Sequence, residues 1–222
     1  VKQGYSEQDY SEQGHIITLE YFVDTCGANI NAQDNKGLSP LHYAAIKGDV
    51  YIVQELLEIT GVDIYAKDIQ GYTPLNYAAR NGQNNVLELL VQANIGNVNA
   101  QDAHGYTSLH RATLEGDTAT IDKLLQIDGI DVNVKDNKGF SPLHHAAIEE
   151  GKGEVIKSLL KDPKININTQ DNEGYTPLHD LAFNGDQKAV NLLLNATDIN
   201  IKIDVNIKDN DGNKAEDYID KK

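Results

Sequence analysis

Asp34-Asn35-Lys36-Gly37-Leu38-Ser39-Pro40-Leu41-His42-Tyr43-Ala44-Ala45 sets a turn, a helix start and a packing face side by side. Asp and Asn side chains bond their own backbone and Gly37 supplies a positive φ, so the first four residues form a tight turn. Ser39 suits a helix N-cap and Pro40 the first helical position. The helix is short, with Ala44 and Ala45 allowing a neighbour to approach closely, and Gly48 ends it. A second helix follows, on which Ile52, Val53, Leu56 and Leu57 share one face. Gly61 stops it, and Val62-Asp63-Ile64 leads out in extended form.

The same Asp-x-x-Gly turn recurs at Asp68–Gly71, Asp102–Gly105, Asp136–Gly139, Asp171–Gly174 and Asp209–Gly212, with successive glycines 34, 34, 34, 35 and 38 residues apart. Self-similarity at that period specifies stacked units, each touching only its neighbours, in place of one globular core. The units fall at 34–67, 68–101, 102–135, 136–170 and 171–208, between partial units at 1–33 and 209–222. The helix openings are Thr73-Pro74-Leu75-Asn76, Thr107-Ser108-Leu109-His110, Ser141-Pro142-Leu143-His144 and Thr176-Pro177-Leu178-His179.

These residues resemble the ankyrin repeat family, over both the Asp-x-x-Gly-x-Thr-Pro-Leu-His opening and the Asp131-Val132-Asn133 exit. The resemblance implies an all-α solenoid of antiparallel helix pairs with short β-hairpin tips. It implies structural roles for Ser39, Pro40, His42, Thr73, Pro74, Thr107, His110, Ser141, Pro142, His144, Thr176, Pro177 and His179, each imidazole bonding its own unit's hydroxyl and the neighbouring backbone. Asn76 replaces the histidine with little expected change. Ser108 replaces a proline and Thr113 a packing alanine, so the third unit is expected to be less preorganised, by about 1 kcal/mol. The fourth unit carries an extra residue within 149–153. The fifth carries an insertion from Ala196 to Lys202, where Asp198-Ile199-Asn200 and Asp204-Val205-Asn206 read as a duplicated exit. Both are expected to bulge without breaking the stack.

The formal net charge is −15, and no basic stripe of the kind that neutralises phosphates is present. Nucleic acid and an anionic membrane surface are therefore not expected partners, and no apolar run is long enough to span a bilayer. A protein partner with a basic surface is expected, and the chain is expected to be a monomer. A single cysteine, Cys26, fits a reducing compartment. The absence of any methionine, position 1 included, is expected of a segment cut from a longer chain. The Asn-, Ile-, Asp- and Lys-rich composition, expected of an AT-rich genome, resembles ankyrin proteins of host-associated intracellular bacteria. That implies an effector acting in a host cytosol; an AT-rich protist and a cytoplasmic location are the alternative.

No cofactor, metal or catalysis is expected. The motif histidines sit roughly 10 Å apart, too far to share a metal; His104 and His145, outside the motif, read as surface decoration. EF-hand spacing fails, because counting back from Gly212 and Gly174 puts Ile207 and Thr169 at the first ligand position. No phosphate loop or nucleophile elbow is present. Carboxylates are abundant, but so regular a solenoid is expected to offer no pocket that would shift their pKa.

In this family the tips and first helices line a concave side, and here their variable positions are Leu38, Tyr72, Tyr106, Phe140 and Tyr175 on the tips. The first helices add Ile46, Lys47, Tyr77, Arg80, Arg111, Leu114, His145, Ile148, Asp180 and Phe183. The tip column reads either as an exposed aromatic ladder, a favoured interface anchor, or as rings stacked between units. The centre of a protein-binding groove is placed at Tyr72, Arg80, Tyr106, Arg111 and Leu114. The implied function is an adaptor or targeting module that binds protein through this face. The alternative is a rigid spacer that positions a domain elsewhere in the chain.

Overall fold

The computed structural model describes residues 27–93, 98–196 and 202–219. Residues 1–26 of the N-terminal partial unit, Cys26 among them, lie outside these residues, as does the first of the two duplicated exits.

Among the described residues the chain forms five helix pairs and one closing 3-10 turn. They are α1 Pro40–Lys47 and α2 Val50–Glu58, α3 Pro74–Arg80 and α4 Asn84–Ala93, α5 Ser108–Glu115 and α6 Thr118–Leu124. The last two pairs are α7 Pro142–Ile148 with α8 Gly153–Leu159, and α9 Pro177–Asn184 with α10 Gln187–Leu194, before the 3-10 turn Ala215–Tyr218. Each first helix packs on the next first helix and each second helix on the next second helix. The core is accordingly a seam. Leu41, Ala45, Val53 and Leu56 continue into Ala78, Ala79, Leu87 and Leu90, then Leu109, Ile121 and Leu124, Leu143, Ile156 and Leu159, and finally Leu181 and Leu193.

Three polar ties hold neighbouring units in register. At the tips, each turn donates a backbone N–H to the carbonyl of the turn before it, as Ile69 to Lys36, Ala103 to Gln70 and Asn210 to Glu173. The tips are tight turns, and among the described residues the one bridge pair is Lys208 with Lys214. The approach is close: a Cβ on Gly105 would stand 2.6 Å from the Asn137 nitrogen, and its φ is +83°. Only glycine fits there.

The second tie is the motif histidine. In His42, Nδ1 accepts the Ser39 backbone N–H at 3.1 Å. That fixes the proton on Nε2, which donates to the Tyr72 carbonyl of the next unit at 3.0 Å. His110, His144 and His179 reach Phe140, Tyr175 and Asn213 in the same way. The third tie is the exit asparagine. Asn99 bridges Gly129 and Asp131, and Asn168 bridges Lys202 and Asp204. The second of the duplicated exits is thus the one in register, and the ladder continues past the insertion.

Asn76 does not reach the next backbone. Its Nδ2 donates to the Ser108 hydroxyl at 3.2 Å, while Oδ1 accepts from the Thr73 N–H at 2.9 Å. The shorter amide and the missing proline therefore compensate one another across a unit boundary. Thr113 is different. Its hydroxyl is buried and has no partner, which costs stability with no return.

Burial presses the pKa of His110 and of His144 down to about 4. Such a group binds its proton better in the unfolded chain, so its contribution is present above the unfolded value and is lost as pH falls towards the folded one. Asparagine occupies the equivalent slot at position 76, with the Ser108 hydroxyl as its partner, so the comparison is made on pH dependence and not on absolute stability. His110→Asn is predicted to lose less stability than the parent between pH 7 and pH 5, by roughly 2 kcal/mol in urea unfolding; identical pH dependence would refute the neutral-imidazole assignment. Thr113→Ala is predicted to raise stability by about 1 kcal/mol, seen as a higher melting temperature, and a fall would show that the hydroxyl is satisfied.

Candidate protein-binding face

Each tip aspartate does two jobs. In Asp102 the Oδ1 atom accepts the backbone N–H of His104 at 2.8 Å and of Tyr106 at 3.0 Å, which shapes the turn. Oδ2 faces the first helix and pairs with Arg111, nine residues on. The same offset recurs. Tyr43 donates to Asp34 and Tyr77 to Asp68, each at 2.7 Å, His145 meets Asp136 at 2.9 Å, and Tyr218 donates to Asp209. Turn and helix are thereby locked together by one carboxylate.

These partner side chains also interleave with the tip rings. Tyr77 stacks on Tyr72 at 5.0 Å. The Arg111 guanidinium lies between Tyr72 and Tyr106, 4.2 and 4.6 Å from the two centroids. His145 lies between Tyr106 and Phe140, at 5.2 and 5.5 Å. Tyr218 meets Tyr175 at 5.8 Å. One column of alternating tip and helix side chains thus runs along the stack, worth about 1 kcal/mol per aromatic or cation–π contact.

The column corrects the expected binding centre. Tyr72 is 4%, His145 8% and Arg111 9% exposed, because each is sandwiched by its neighbours. They are packing residues and offer a partner nothing. His145 is also no surface decoration, since it is buried against Asp136. Tyr77, Tyr106, Phe140 and Tyr175 are half-buried within the same stack, and Leu38 is half-buried at the first tip. The second expected column sits further out: Ile46 and Leu114 are half-buried, Lys47 and Arg80 exposed, Ile148 39% and Phe183 62% exposed. Arg80 pairs with Glu115 at 3.6 Å.

One unit breaks the pairing. The residue nine positions after Asp171 is Asp180, an acid where every other unit places a donor. Its Oδ2 atom is buried and has no hydrogen-bond partner. Burial, with the charge of Asp171 added, pushes this carboxyl up to about 8. It lines a pocket of about 300 Å³ with Phe140, Ile148, Asp171, Glu173, Tyr175 and Phe183. The expectation that the solenoid holds no pocket able to shift a carboxylate was therefore wrong. The repeat is irregular at this position, and the irregularity makes the pocket. Among the described residues no cluster of His, Cys, Asp and Glu could hold a metal, and no helix is long and apolar enough to cross a membrane.

Comparison with known proteins accords with this architecture. The solved ankyrin repeat domain of Bcl-3, described as a unique member of the IkappaB protein family, superposes with a TM-score of 0.80 at 24% sequence identity. The match covers 96% of this chain and 93% of that one. No curated protein sequence matched the chain. The family model for ankyrin repeats, three copies long, matches residues 10–102, 59–136 and 109–209. With the six tip turns, the capping histidines and the stacked helix pairs, that coverage establishes that the chain belongs to the ankyrin repeat family.

Proposed function

We propose that this chain is a protein-recognition module that binds its partner along the outer face of the first helices, as an adaptor or targeting segment. Ankyrin repeats are in general protein-interaction modules. The observation that carries the reading here is the column twelve residues after each tip aspartate: Ile46, Arg80, Leu114, Ile148 and Phe183. It presents Ile148 and Phe183 to solvent on adjoining units, with Phe183 62% exposed, although the solenoid needs neither for its seam. Contiguous exposed apolar surface is characteristic of interaction sites. The net charge of −15 favours encounter with a basic partner. This face replaces the buried ring column as the site of contact.

The test is affinity capture with the intact chain beside a Leu114→Asp, Ile148→Asp, Phe183→Asp variant whose helicity and melting temperature are verified. Proteins retained by the parent are expected to be lost from the variant. Retention by both would place the interface elsewhere, and capture of nothing by the parent would favour the spacer.

A further inference from the structure

The acid at position 180 has an internal counterpart that shows what its slot accepts. In the third unit the space between two tip rings, above a tip carboxylate, is occupied by the Arg111 guanidinium. In the fifth unit the corresponding rings are Phe140 and Tyr175 and the corresponding carboxylate is Asp171. Asp180 is too short to span the slot and brings a second acceptor in place of a donor. The pocket of about 300 Å³ left beside it is walled by Phe140, Tyr175 and Phe183, with Asp171, Glu173 and Asp180 as its acidic groups and His179 and Asn184 also on its lining.

We propose that this pocket binds an arginine side chain of the protein partner. Its guanidinium pairs with Asp171 and Asp180 between Phe140 and Tyr175, the place that Arg111 fills from within the chain in the third unit. The proposal rests on the protein-recognition reading and names one contact within it. A planar fork suits two facing carboxylates and stacks on rings, which an ammonium does less well. A bound guanidinium also supplies the missing partner of the buried Asp180 oxygen and favours the charged form of a carboxyl that burial and the Asp171 charge otherwise hold protonated up to about 8. Phe183 and Ile148, exposed at the rim, would cover the aliphatic stem.

The probe is N-acetyl-arginine amide, titrated into the full 15N-labelled chain and followed by NMR. N-acetyl-citrulline amide, nearly isosteric but uncharged, and N-acetyl-lysine amide are the controls. Saturable shifts are expected at the amides of Glu173, Tyr175, Asp180 and Phe183. Citrulline should bind roughly tenfold more weakly or worse, and lysine more weakly than arginine. Asp180→Arg fills the slot from within and should abolish the response. Asp180→Tyr, which restores the donor found at Tyr43 and Tyr77, serves the same purpose if the arginine variant fails to fold. The proposal is overturned by an absence of saturable shifts, by an equal response to citrulline or lysine, or by unchanged binding in a folded position-180 variant. Failure here with capture by the first-helix face intact removes the pocket alone. Arginine binding with no protein captured removes the recognition reading and leaves the pocket.

Discussion

A carboxylate has two oxygens, and at each tip of this chain they point at different elements. One accepts two backbone N–H groups and closes the turn; the other, in every unit but the fifth, takes a donor from the side chain nine residues on. That shared group sets the angle between tip and helix, and with it the position of the ring four residues on. The ring then packs against the donor of the next unit. Local hydrogen bonding at the aspartate is in this way passed along the stack as contact between side chains. No unit buries a core alone, so these contacts carry the cooperativity of the whole body.

Departures from the repeat come in pairs that meet across a boundary. Asn76 is too short to bond the backbone of the third unit, and Ser108, where a proline is usual, supplies the hydroxyl it meets. Arg111 replaces a tyrosine and gains two flanking rings as well as the tip carboxylate. Lys152, in the loop widened by one residue, returns to the Leu114 carbonyl at 2.8 Å and covers the end of α5. Thr113 and Asp180 are the departures for which the structure holds no answering change; Thr113 is closed in by packing, whereas Asp180 opens on a pocket, and there the proposed contact is placed.

Legibility in the sequence follows from range. The Ser39–His42 opening and its copies lie within four residues, so caps, turns and helix order could be read directly. The offset of nine between tip aspartate and helix partner is just as constant, but the partner changes type: Tyr43, Tyr77, Arg111, His145, Asp180 and Tyr218. A column defined by position and not by residue type leaves no repeated letter to notice. The ring column is legible as a register, with exposed ladder and stacked interior both open, because burial of Tyr72 and Arg111 depends on the unit on either side. Thr113, Ser108 and Asp180 each need a neighbour 30 or more residues away, or a packing space, before their consequence appears.

Surface and interior are thus divided along one first helix. The side chain nine residues after the tip aspartate packs inward in the middle of the stack, as Arg111 and His145 do, while Tyr43 in the first complete unit is 47% exposed; the side chain twelve residues after it lies further out, as Ile148 and Phe183 do. The fifth unit alone sets an unfilled acceptor beneath that outer row. The central claim is that the tip carboxylate binds the stack through its helix partner, and that the partner is missing once. The most direct measurement is a pair of double-mutant cycles by denaturant unfolding at about pH 9, above the value for Asp180. Asp102 with Arg111 should show a favourable coupling of about 1–3 kcal/mol, and Asp171 with Asp180 a coupling of the opposite sign. Couplings of the same sign, or none for either pair, would contradict it.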